Sequence, residues 1–173
     1  MKRGIRIAIL LASLLCIFLP ARAEITRGQK TFGVTAGYVT KNHTMSAGLQ
    51  FEYAFSRRFV LAPSVDYLFR NHNKDGLMIN IDYHGPWQLG HSGKWYLFHI
   101  VGVNYASYTY HRNRHDEIVS DDSNERINKV GLNIGAGVAY YVTPTLRLQF
   151  QGKFNWIKYN NTGLFNLGIS YVF

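Results

Sequence analysis

The chain has 173 residues, with 19 Lys and Arg against 10 Asp and Glu, and a single cysteine. That is enough for one domain and excludes a disulfide-stapled fold. Lys2, Arg3, Arg6 and Arg22 fall in residues 1–23, which hold no acid, so the formal +9 of the whole chain drops to 15 cations against 10 acids beyond them. This remaining excess is spread along the chain, which argues against a nucleic-acid surface.

Residues 7–19 are apolar apart from Ser13, and Ala21-Arg22-Ala23 makes an A-x-A cleavage site behind the basic start. The pattern is that of a secretory signal peptide over 1–23, too short for an ordinary membrane helix. Cys16 is not expected to carry a lipid anchor, because Leu15 stands where a lipobox has a small residue. The expected mature chain is residues 24–173, a single cysteine-free domain with nothing following Phe173.

After a short polar lead, eight alternating stretches follow at 31–40, 44–55, 59–69, 77–87, 95–110, 129–141, 146–159 and 163–173. Successive side chains of a strand point to opposite faces, so a period of two marks a strand with one apolar face. The second stretch sets Met45, Ala47, Leu49, Phe51, Tyr53 and Phe55 against Ser46, Gly48, Gln50, Glu52 and Ala54. The third sets Phe59, Leu61, Pro63, Val65, Tyr67 and Phe69 against Val60, Ala62, Ser64, Asp66 and Leu68. In the fifth, Tyr96, Phe98 and Ile100 compete with Trp95, Leu97 and Val101, which suggests a bulge or a register change. The sixth sets Val130, Leu132, Ile134, Ala136, Val138 and Tyr140 against Gly131, Asn133, Gly135, Gly137 and Ala139. The seventh sets Leu146, Leu148, Phe150, Phe154 and Trp156 against Arg147, Gln149, Gln151, Lys153 and Asn155. In the eighth, Phe165, Leu167, Ile169, Tyr171 and Phe173 oppose Asn166, Gly168 and Ser170, and only Val172 breaks the rule.

A lipocalin-like soluble barrel alternates too, with its apolar side inside. Here the apolar face is too bulky as a set for an eight-strand lumen, whereas Gly, Ala, Ser, Asn and Gln fit a narrow interior. Apolar out and polar in is the membrane polarity, so the expected fold is all-β: an eight-stranded antiparallel up-and-down transmembrane β-barrel. Short connections at 56–58, 88–94 and 142–145 fall on the side of both termini; 41–43, 70–76, 111–128 and 160–162 fall on the other. Strand one must then pair with strand eight, since an open edge in lipid leaves backbone groups unsatisfied. Phe32, Phe55, Phe59, Trp87, Trp95 and Phe173 would girdle one rim, and Tyr38, Tyr67, Phe69, Tyr105, Trp156, Tyr159 and Phe165 the other. The longest uncharged run, 130–146, contains Asn133, three glycines and Pro144 and makes a poor membrane helix.

The ending Leu167-Gly168-Ile169-Ser170-Tyr171-Val172-Phe173 resembles the terminal strand of bacterial outer-membrane barrels. With Gly-rich strands such as 131–137, the whole mature chain is similar to the OmpX/OmpA-type small barrels and the related outer-membrane β-barrel domain family. The resemblance implies residence in the outer membrane with both termini periplasmic. Its implied partners are the bilayer, lipopolysaccharide and the insertion machinery, which would read Phe165, Leu167, Ile169, Tyr171 and Phe173 as the assembly signal. The implied role is structural or surface-interacting, without catalysis. A small gated, porin-like channel and a lipid A-modifying enzyme are the alternatives.

The charges on the inner face are Glu52, Asp66, Asp82, Arg147 and Lys153. Enclosed in a narrow barrel they should pair into a polar network, because an unpaired buried charge is costly. Breaking such pairs is also how an ion path would open. Of the seven histidines, His43, His72, His111 and His115 map to the far-side loops or their edges. His111, His115 and Asp116 have ligand chemistry, but that loop is not helical by pattern, so no metal or cofactor is expected. The His-x-Ser pair of lipid A deacylases is absent, since His91-Ser92 is adjacent and in a turn. The lead at 24–30 is too short for the helix of the palmitoyltransferases, and no catalytic residue is assigned. The segment 111–128 carries Arg112, Arg114, Asp116, Glu117, Asp121, Asp122, Glu125 and Arg126. It reads as a solvated loop that would meet lipopolysaccharide phosphates, a surface ligand or a host protein.

Overall fold

The computed structural model describes residues 25–41, 43–71, 74–110, 125–157 and 161–173. Eight antiparallel strands close in chain order into one barrel: β1 (Lys30–Val39), β2 (Thr44–Ser56), β3 (Phe59–Asn71), β4 (Lys74–Leu89), β5 (Trp95–Tyr110), β6 (Glu125–Tyr141), β7 (Leu146–Ile157) and β8 (Thr162–Val172). The closure expected of the first and last strands is present, running from Thr31 opposite Val172 to Val39 opposite Leu164. It leaves the sheet without a free edge.

Several strands outrun their sequence-based bounds at the ends. β4 begins at Lys74 rather than Leu77, and β6 begins at Glu125 rather than Lys129. Residues 125–128 are therefore strand, paired with Ser107 to Tyr110 of β5, and not part of the long loop. These extensions are polar, because they stand beyond the apolar band and pair through backbone bonds that need no greasy face. Residues 1–24, 111–124 and 158–160 lie outside the described residues, and with them the signal peptide, Cys16, most of the charged loop, His111, His115 and Tyr159. His72 also lies outside them.

The outer wall is built from the face expected to be apolar. Leu132, Ile134, Phe154, Trp156, Leu167 and Phe173 all stand exposed on it, with Leu167 at 63%. Both expected girdles are outward-facing wherever they are described, from Phe55 and Trp87 at one rim to Tyr67 and Trp156 at the other. At the rim bearing the termini, rings of Tyr53, Phe55, Phe59 and Tyr83 follow one another at 4.7, 5.7 and 4.9 Å.

Inside, the lumen is filled in three layers, and β5 crosses all of them. Tyr96, Phe98 and Ile100 join Ile25, Ala54, Val60, Ala139, Tyr141 and Val172 in an apolar layer at the termini end. Gly102 and Asn104 follow at the polar centre. Ala106 and Tyr108 then join Val39, Leu68, Met78, Ile157 and Leu164 in a second apolar layer at the far end. This corrects the reading of β5. It carries no bulge, since its pairing with β4 and β6 is continuous from Trp95 to Tyr110. Both faces are apolar there because the inner one seals the lumen. Val172 breaks the alternation of β8 for the same reason, being inward and buried in the termini-end layer. The register shifts fall instead at Ala54/Ser56 and at Leu68/Asn71.

The turns at the termini end are tight. Arg57 and Arg58 link β2 to β3, and Val142, with Thr143 to Leu146, closes the β6–β7 hairpin by backbone bonds. The β4–β5 connection uses Gly90 and Gly93 at φ of 72° and 67°, a left-handed conformation that side chains resist.

Candidate functional site

The polar centre of the lumen is where chemistry is concentrated, and alternation places it there. Each of the five charges expected to face inward does so, and each is at least 95% buried. β7 supplies both bases on one face, six residues apart. Arg147 Nη2 donates to Glu52 Oε1 of β2 at 2.6 Å, and Lys153 Nζ donates to Asp82 Oδ2 of β4 at 2.8 Å. The pairs span the lumen in opposite directions around the wall, each across three strand steps.

The fifth charge, Asp66, has no ion-pair partner among the described residues and is held by neutral donors. Asn80 Nδ2 donates to its Oδ2 at 3.0 Å, and Thr35 Oγ1 to its Oδ1 at 3.4 Å. Asn133 Nδ2 donates to both Asp82 Oδ1 and Asn80 Oδ1, at 2.6 and 3.1 Å, which links the two acids through amides. Asn104 and Asn155 donate to Asn133 Oδ1 in turn. Around Glu52, Gln50 Nε2 donates to Oε1 at 2.8 Å, and Gln149 and Gln151 both donate to Gln50 Oε1. Such bonds offset the desolvation of the charges, which an isolated pair would not do.

Glycine makes room for the charges. Asp66 lies opposite Gly48, Asp82 opposite Gly102, and Lys153 opposite Gly135 across their strand pairs. A Cβ at Gly48 or Gly102 would collide with the facing carboxylate and with a backbone carbonyl. Gly48, Gly102 and Gly135 on β2, β5 and β6 are thus the counterparts of the charges on β3, β4 and β7.

One member escaped the sequence reading. His84, on the same face of β4 as Asp82, is 4% exposed; its Nδ1 lies 3.7 Å from Glu52 Oε1, and its ring stacks on Phe98 at 4.7 Å. The signal was its parity, since residues 80, 82 and 84 must share a face. Its Nε2 and Arg147 Nε have no hydrogen-bond partner among the described residues, and both side chains border a cavity of about 20 Å³. That space has room for about one water molecule. His43 stands apart at the opposite end, exposed and within 2.9 Å of Tyr38 Oη. The assembly-signal residues Phe165, Leu167, Ile169, Tyr171 and Phe173 line the outer wall of β8 and take no part in the centre.

No family model and no curated protein matches the sequence. The fold does match solved structures. The N-terminal β-barrel domain of Pseudomonas aeruginosa OprF aligns over 86% of this chain and all of its own, at a TM-score of 0.69 and 16% identity. Ail, the attachment invasion locus protein of Yersinia pestis, aligns over 86% and 100% at 0.60 and 15%. Neisserial surface protein A aligns over 83% and 95% at 0.59 and 12%. At these identities the likeness is one of fold, that of the small bacterial outer-membrane barrels.

Proposed function

We propose that this chain is an integral outer-membrane β-barrel with a structural or surface-interaction role and no catalysis. The observation that carries the reading is the opposition of its two faces. Bulky apolar side chains cover the outside, while the inside is an ion-paired layer sealed by apolar side chains at both ends. A wall of this kind is stable only against lipid. The OprF, Ail and NspA barrels, all outer-membrane or surface proteins by name, support the location. Both termini then face the periplasm, and the outward residues of β8 are what the insertion machinery meets.

The surface role is assigned to the connection between β5 and β6, residues 111–124. Ail of Yersinia pestis has been solved in complex with the heparin analogue sucrose octasulfate, so a barrel of this fold can engage a polyanion. Arg112 and Arg114 would offer the same chemistry to lipopolysaccharide phosphates or a host surface ligand.

A channel is the second reading, favoured by the polar chain that runs continuously through the centre. An ion would nonetheless have to separate both charge pairs and cross two apolar layers, so the barrel is assigned as closed. The test uses protein refolded into lipid vesicles. Unheated and heated samples should migrate differently on SDS gels, and planar bilayers should show no reproducible openings. A freely water-soluble monomer without amphiphile would overturn the location, and steady single-channel steps would overturn the closed role. Identical lipid A mass spectra from strains with and without the gene are expected, and a changed acyl pattern would restore the enzyme alternative.

A further inference from the structure

The lead ahead of β1 is polar from Thr26 onward, and the one apolar side chain before it is buried. Thr26, Arg27, Gly28 and Lys30 are exposed, whereas Ile25 is 7% exposed and joins Val60, Tyr96 and Phe98 in the apolar layer at the termini end. A tight turn brings it there. Gln29 N donates to the Thr26 carbonyl at 3.2 Å, and Gly28 holds the third position at φ of 86°, the arrangement of a type II turn. The turn is strapped to the barrel on two sides. Gly28 N donates to the Ala54 carbonyl of β2 at 2.7 Å, and Ala54 N donates to the Gln29 carbonyl at 3.0 Å. The Gln29 side chain accepts from Thr26 N at 3.1 Å, and its Nε2 donates to Tyr141 Oη of β6 at 3.3 Å. β2 and β6 stand four steps apart in a ring of eight, so the strap crosses the mouth of the lumen.

Three cavities at this end of the lumen meet at Ile25. A vestibule of about 290 Å³ lies among Arg57, Arg58, Trp87 and Gln88. Beneath it are the cavity of about 20 Å³ bordered by His84 and Arg147, and one of about 10 Å³ beside Glu52 and Gln29. Among the described residues that line them, Ile25 is the one common to all three. The vestibule and the His84 cavity also share Pro86 and Tyr96, so Ile25 and these two form the partition between them. Behind it, His84 Nε2 and Arg147 Nε have no hydrogen-bond partner among the described residues, and both side chains are at least 95% buried. Taking away the Ile25 side chain would merge the three spaces and bring water to both nitrogens.

We propose that residues 25–29 are a built-in stopper: Ile25 occupies a pocket in the mouth of the barrel and keeps water from His84 and the Glu52–Arg147 pair. The occupant of that pocket is the chain's own lead, held by the turn at Gly28 and the strap to Ala54 and Tyr141. Opening it makes a blind vestibule and not a pore, because the apolar layer of Leu68, Met78, Tyr108 and Leu164 still closes the far end. The stopper rests on the barrel reading above and accounts for the closure of one end.

The test is histidine labelling by diethyl pyrocarbonate in protein refolded in detergent micelles, read residue by residue by peptide mass spectrometry. His91, exposed in the β4–β5 turn at the same end, reports that the reagent arrives. In wild type, His91 should react and His84 should not. Ile25→Gly should raise His84 labelling at least about tenfold and leave His91 unchanged. Gly28→Val keeps Ile25 and acts through the turn alone, since a Cβ there meets no atom of the described residues within 4 Å, while a β-branched side chain resists the positive φ. It should raise His84 labelling as well. Gly28→Asn, which tolerates the left-handed conformation, should behave as wild type. The heat-dependent gel shift is read on every variant. His84 left unlabelled in both Ile25→Gly and Gly28→Val, with the shift retained, would overturn the stopper. So would His84 reacting as fast as His91 in wild type. Loss of the shift in both variants would overturn it too, because the lead would then be part of the barrel's framework and not a cover on a finished mouth. Loss of the shift in wild type would instead sink the barrel reading beneath it.

Discussion

Glu52–Arg147 and Asp82–Lys153 look alike in outline: each takes a base of β7 across the lumen to an acid, at 2.6 and 2.8 Å. Their surroundings differ. Asp82 lies at mid-barrel in a mesh of asparagines that also holds Asp66, and Lys153 is the one base bonded into that mesh among the described residues. Glu52 lies against the termini-end apolar layer, with the small cavity and the His84 imidazole beside it. One pair is embedded in a polar network at mid-barrel, and the other sits at the boundary between polar and apolar packing. Two bridges of similar length should therefore not contribute equally to stability.

The largest effect is expected at Lys153. Lys153→Met leaves Asp82 and Asp66 linked by amides with no cation between them. Removing one partner of a buried pair costs about 3–5 kcal/mol, and the upper part of that range is expected here. Urea unfolding of the barrel in vesicles would measure it. Adding Asp82→Leu should return much of the loss, because removing both charges of a buried pair is often close to neutral. A double variant as weak as the single one would show that the amide mesh, and not the charge, carries the stability.

Arg147→Met should cost less, about 3 kcal/mol, because Gln50 still donates to Glu52 and the His84 imidazole stands 3.7 Å away as a further polar neighbour. Combining it with His84→Leu should bring the loss toward that of Lys153→Met. If the two substitutions simply add as independent sites do, His84 is a packing residue and the contrast between the two pairs narrows.

The glycines opposite the charges come next. Gly102→Val would drive a side chain into the Asp82 carboxylate and the Ile81 carbonyl, at a cost of about 2 kcal/mol. Gly163→Ala, whose added Cβ would meet only side-chain atoms of Thr40 and Phe165, should be nearly silent in the same assay. Equal effects at both positions would mean that the strands tolerate bulk anywhere, and that the acid-opposite-glycine pairing has no role.

What could be read from sequence, and what could not, follows the same division of the lumen. Alternation alone located all eight strands, the outer wall and the five inner charges, because a period of two is indifferent to what fills the barrel. It failed where the filling changes character. Tyr96, Phe98 and Ile100 looked like a register fault, since period-two reasoning assumes a uniformly polar inner face, and an apolar layer at one end of the lumen violates that assumption without disturbing a single backbone bond. His84 was missed for a related reason: histidines were weighed as loop ligands, whereas its parity with Asp82 places it inside. The partners of the charges were not legible either. Which acid faces which base depends on barrel closure and stagger, and a strand-by-strand reading cannot count those.

Val172 isolates this lesson in one side chain. By the rule of alternation it is a misfit of β8, as Leu164 is at the other end, and Val172→Ser would extend the apolar and polar repeat of residues 165–171 to the end of the strand. If the inner face were polar throughout, that change would be neutral or helpful. Val172 instead packs with Ile25, Val60 and Tyr141 in the termini-end layer, 8% exposed. Serine would remove about two buried carbons and place a hydroxyl among apolar groups. At roughly 0.8 kcal/mol per buried methylene, the loss should be about 1.5 kcal/mol. It is a small shift in the urea midpoint, but its sign alone decides whether the lumen is sealed by apolar packing or merely lined.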